Sequence, residues 1–122
     1  MGVALLLVAV GGFAVTFTGY LGLVGKLPPN PWAGIRTPFT MRSPEAWYAT
    51  HRGAAPAMIF GGVLVFAASA AFVPFALAGT VPLPLATGVV LGSCGILLGT
   101  VVAGWRTGTA HARRELDKAR SA

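Results

Sequence analysis

The chain has 122 residues, 55% of them hydrophobic and only 10% charged, with a formal net charge of +6 and a mean hydropathy of +0.74. A soluble domain carries about 25% charged residues, so a water-soluble globular protein is excluded, and the length leaves no room for a separate soluble catalytic domain. The lone Cys94 excludes an internal disulfide.

From Met1 to Gly25 there is no Lys, Arg, Asp or Glu, a run longer than the ~20 residues needed to cross a hydrocarbon core. It predicts a first span near residues 3–24. A cleaved signal peptide opens on a positive region, and Met1–Phe13 has no basic residue. Gly12, Thr16 and Gly19 lie on one face of this helix and suggest a close helix contact.

The only polar stretch between apolar runs is the island Asn30–Arg52, NPWAGIRTPFTMRSPEAWYATHR. Pro28, Pro29, Pro31, Gly34 and Pro38 forbid a helix over its first part, which is expected as an extended, turn-rich loop. Asn30 and Thr37 are suited to closing turns, and Gly34 to a positive φ or a close backbone approach. Ser43-Pro44 reads as an N-cap followed by proline at the first helical position, with Glu45 favourably placed in the first turn. A short interfacial helix is therefore expected over Pro44–Arg52, ending at Gly53. Trp47 and His51 lie on one face of it, Tyr48 and Arg52 on the next, with the aromatics serving as interface anchors.

No charged side chain interrupts Gly53–Trp105, which at 53 residues is too long for one span and suits two. Pro74, Gly79, Pro82 and Pro84 supply turn chemistry in its middle. The second and third spans are placed near residues 55–78 and 81–103. Gly88, Gly92, Gly95 and Gly99 recur on one face of the third, a stripe suited to internal helix packing or to a partner helix. The tail 106–122 is basic, pairs Arg113 with Asp117 and His111 with Glu115 at i,i+4, and extends the third helix beyond the membrane.

The fold class is thus an all-α membrane protein of three transmembrane helices, forming a single domain. All nine Lys and Arg residues fall in the first connection or in the tail, and three spans put both on one side. The positive-inside rule makes that side cytoplasmic and the N-terminus external, in the inner membrane of a bacterium. The charge then meets anionic lipid headgroups, and no nucleic-acid reader motif accompanies it. The island holds one Glu, one His and no Asp or Cys, so neither a metal site nor a nucleophile beside a base is expected, and no cofactor. No span carries an ionisable side chain, which argues against a self-contained ion or proton transporter.

The spaced residues Asn30, Gly34, Ile35, Arg36, Thr37, Thr40, Ser43, Glu45, Trp47, His51 and Arg52 resemble the signature of the SdpI family of small bacterial integral membrane proteins. The resemblance implies a non-catalytic protein that binds a peptide or protein partner at the membrane, in immunity to a secreted toxic peptide or in signalling. The glycine-lined third helix suits another role as well, a small accessory subunit packed against a larger transporter or respiratory assembly. Arg36 is the residue best fitted to recognition, because its planar fork binds carbonyls, phosphate or a carboxylate in a bidentate manner.

The topology is checked with reporter fusions active only outside the cytoplasm. A reporter near Gly79 is expected to be active and one after Ala122 silent; the reverse pattern refutes the orientation.

Overall fold

The computed structural model describes residues 2–121 and consists of three long helices with one short 3-10 turn. Helix α1 spans Gly2–Leu23, α2 spans Pro44–Leu77 and α3 spans Leu83–Ser121. All three are long and apolar enough to cross a membrane. The three-helix class expected from the charge-free runs is what the chain forms.

The ends of the apolar runs set the helix ends. Gly25, at φ 72°, follows α1, and the Lys26 N–H reaches back to the Leu21 carbonyl at 2.9 Å. Gly79, at φ 74°, follows α2, with Thr80 N–H on the Phe75 carbonyl and Gly79 N–H on that of Ala76. These are the paired back-bonds of a Schellman cap, which needs a left-handed residue after the helix. The tight turn between α2 and α3 lies where Gly79 suggests.

The expected break at Gly53 does not occur. Ser43 caps a helix as anticipated, its Oγ accepting from the Ala46 N–H at 3.1 Å, and Pro44 occupies the first turn. That helix then continues through Gly53 and Pro56 to Leu77, so Pro44–Arg52 is the opening of α2 and not a separate interfacial helix. Gly53 is held by packing: a Cβ there would stand 2.5 Å from His111 Cβ of α3. The contact with α3 outweighs glycine's weak helix preference, which is worth about 1 kcal/mol.

Helix α2 is the centre of the molecule. Helices α1 and α3 run antiparallel to it on two flanks and barely touch each other. The buried positions of α1 are Gly2, Leu5, Ala9, Gly12, Gly19 and Gly22, a repeat of three and four. A Cβ on Gly12 would stand 2.7 Å from the Phe66 backbone nitrogen and 2.9 Å from the Gly62 carbonyl oxygen. Backbones this close gain dispersion contacts along their length, which drive helix association where no hydrophobic effect operates. The Gly12–Thr16–Gly19 face therefore does the packing that its spacing suggests.

Helix α3 uses a different stripe from the one its glycines mark. Gly88, Gly92, Gly95 and Gly99 are all exposed, and a Cβ on any of them meets nothing within 4 Å. The buried face is Ala86, Ser93, Thr100, Gly104, Gly108 and Ala112. Ser93 Oγ lies 3.2 Å from Ser69 Oγ of α2, and Thr100 sits directly against Gly61. A hydroxyl pair inside the bundle offers both hydrogen bonding and small size, and it shares this face with Gly104 and Gly108. Internal packing through the glycine stripe is thereby corrected.

Replacing Gly62 by Leu is expected to lower thermal stability in detergent strongly, by at least the ~1–3 kcal/mol of core overpacking. The same change at Gly92 should leave the isolated chain as stable as the wild type. Equal losses at both positions would contradict the packing described.

Candidate functional site: the motif loop and the groove it roofs

The loop from Lys26 to Phe39 has no regular structure, and its polar backbone groups need partners where water is scarce. Its own side chains supply several. Asn30 Oδ1 accepts from the N–H groups of Trp32 at 2.9 Å and Ala33 at 2.7 Å, while its Nδ2 donates to the Pro28 carbonyl. Thr37 N–H donates to Thr40 Oγ1 at 2.8 Å, and Thr40 N–H to Thr37 Oγ1 at 3.2 Å. The buried Thr40 hydroxyl also reaches the Ile35 carbonyl at 2.8 Å. Asn30 and Thr37 thus close turns, as their chemistry suggests.

The loop is locked to α2 by Trp47 and His51. Trp47 is fully buried, and its Nε1 donates to the Leu27 carbonyl at 2.8 Å. This corrects its expected role as an interface anchor: the indole is an internal strut. His51 is buried too, with its ring 4.3 Å from that of Trp47. His51 Nε2 accepts from the Ile35 N–H at 2.8 Å, and Nδ1 lies 2.7 Å from the Trp47 carbonyl oxygen. A carbonyl only accepts and an N–H only donates, so the imidazole is neutral with its proton on Nδ1. Gly34, at φ 112°, crosses directly over both rings; a Cβ would stand 2.7 Å from His51 Nε2 and 3.0 Å from the Trp47 ring. Only glycine satisfies both the backbone conformation and the approach.

The charged motif residues point outward. Arg36, Glu45 and Arg52 are exposed, and Arg36 Nη1 donates to the Pro31 carbonyl at 2.6 Å. The motif therefore divides into a scaffold of buried Thr40, Trp47 and His51 with Gly34 across them, and an exposed set that remains available for contact. Phe39, which the sequence reading passed over, sits between two guanidinium groups, Arg42 at 4.8 Å and Arg113 of α3 at 4.6 Å. The cation–π pair ties the loop to the basic tail.

Because α1 and α3 diverge across α2, a groove of about 510 Å³ opens between them. Ala14, Val15 and Thr18 of α1 form one wall, and Val101, Val102 and Trp105 of α3 the other. Met58 of α2 is the floor, and loop residues 32–37 are the roof. Ile35 is buried with Ala54 and Met58 and packs against Val15, so the loop is wedged into the upper end of the groove. Among the described residues Arg36 is the only charged one on the lining, and Trp32 at its edge is 91% exposed. The volume lies within the ~300–1,000 Å³ typical of ligand sites. Its signal in the sequence was weak, since it arises from which helices fail to meet.

The model of the SdpI/YfhL protein family matches residues 26–107, about two thirds of the chain, and the chain belongs to that family. No curated protein and no solved structure matches it. The matched segment takes in the motif loop, all of α2 and the apolar part of α3.

His51 precedes the apolar stretch that begins at Gly53, and burial pushes its pKa below the ordinary 6.5, with the Trp47 carbonyl pulling the other way. The unfolded chain then takes up a proton before the folded one does, so stability is complete above pH 6.5 and falls as the pH drops below it. His51→Gln is expected to flatten this dependence in thermal melts. His51→Ala should cost at least the ~1–3 kcal/mol of an orphaned buried donor, here the Ile35 N–H.

Proposed function

We propose that this SdpI/YfhL-family chain is a non-catalytic membrane protein that captures a membrane-active peptide from within the bilayer, in the manner of an immunity protein. The observation that carries this reading is the groove between α1 and α3, open sideways, walled by apolar side chains and roofed by the family's motif loop. A peptide inserted in the membrane reaches such an opening without leaving the lipid. The locked loop supports recognition because a rigid roof loses little freedom on binding. The basic residues of the loop and tail support an orientation with this end of the groove at the cytoplasmic face of a bacterial inner membrane.

Cells making the protein are expected to survive a secreted membrane-active toxin that kills control cells. Val102→Trp fills the groove and should abolish protection without reducing the amount of protein in the membrane. Full protection by this variant, or no protection by the wild type, rejects the reading.

An accessory-subunit role is favoured by one separate observation: the glycine face of α3 is bare in the isolated chain. A transmembrane helix of a larger assembly packs closely on such a face. In that case Gly92→Leu and Gly95→Leu leave the protein folded but lose a stoichiometric large partner on purification in mild detergent.

A further inference from the structure

The groove has a charge arrangement that peptide capture alone does not use. Its lining is apolar apart from threonine hydroxyls, loop backbone and one cation, Arg36. That guanidinium is held in place from behind by the Pro31 carbonyl. Arginine has five N–H donors, and this bond occupies one. Among the described residues the one ion pair is Lys118 with Glu115, so Arg36 meets no carboxylate. Trp32 and Trp105 lie at the edges with substantial exposed surface, as amphipathic rings do at headgroup level.

We propose that the resting occupant of this groove is one anionic phospholipid, its phosphate on the Arg36 fork and an acyl chain lying between α1 and α3 on Met58. Charge complementarity selects the headgroup: the groove presents a single fixed cation at its polar end, and the protein carries nine basic side chains against three acidic ones. A planar fork binds phosphate through two parallel bonds, which an ammonium does not reproduce. The chain fills a gap that the helices leave open, and a lipid from the surrounding bilayer enters it sideways. The site goes beyond peptide capture and does not depend on it; a peptide entering the groove displaces this lipid.

The test is native mass spectrometry of the full chain, released from bilayers of equal phosphatidylglycerol and phosphatidylcholine. The wild type is expected to retain one phosphatidylglycerol in preference to phosphatidylcholine. Arg36→Gln should retain about tenfold less, the effect of losing one charge-assisted hydrogen bond, and Arg36→Lys should also fall short of wild type. Val101→Trp leaves Arg36 intact but fills the groove, and should lose the lipid as well. This second variant carries the test if Arg36→Gln does not fold. Equal retention of both lipids by the wild type overturns the proposal, as does undiminished retention by Val101→Trp. Recovery of a peptide or of a second copy of the chain in place of the lipid overturns it too.

Discussion

The polar end of this molecule depends on one hydrogen bond, from the Ile35 N–H to the imidazole of His51. The Trp47 carbonyl, one turn earlier on α2, accepts a hydrogen bond from Nδ1–H and so fixes which ring nitrogen is left to accept. That acceptor then captures a backbone group sixteen positions upstream. With Ile35 in place, its side chain enters the contact of α1 with α2, and Gly34 must lie across the two rings. A proline-rich segment that no helix can absorb is thereby made rigid at the membrane edge. It needs no carboxylate for this; the bonds are neutral, buried and short.

The bundle itself rests on the central position of α2. Small residues on both of its faces let α1 and α3 approach closely, with Gly62 toward one and Gly61 toward the other. Gly61 and Gly62 stand about 100° apart around α2, so α1 and α3 lie on neighbouring faces of it and touch each other only a little. The groove is therefore a consequence of where the small residues lie, not a separate feature. Its roof is made by the motif loop, so the polar island of the sequence and an apolar opening between the helices meet at one place.

Much of this was legible in the sequence because it follows from composition or local chemistry. The spans follow from charge-free runs, the start of α2 from Ser43-Pro44, and the turns from Asn30, Gly34 and Gly79. What was not legible depends on partners far apart along the chain. Gly53 reads as a helix end, yet His111 of α3 holds it inside α2. Trp47 reads as an anchor at a membrane surface, yet the Leu27 carbonyl draws it inside. The glycines of α3 gave a clear period, but a period only states that residues share a face. Ser93 and Thr100, seven apart, mark the true contact because Ser69 and Gly61 wait opposite them. Arg36 was singled out for its fork, and only the fold shows that it borders an apolar groove.

The lengths of α2 and α3 carry a mechanical consequence. At 34 and 39 residues they measure about 51 and 58 Å at 1.5 Å per residue, against a hydrocarbon thickness of about 30 Å. Their excess lies at the same end and stays paired there, through Gly53 with His111 and Gly108 with Ala54. The result is a stiff two-helix stalk, continuous with the part embedded in lipid and bolted to the loop through Phe39. Pro56 lies at the base of this stalk, where the missing backbone hydrogen bond weakens α2, so the pairing with α3 is what holds the two ends of α2 in line.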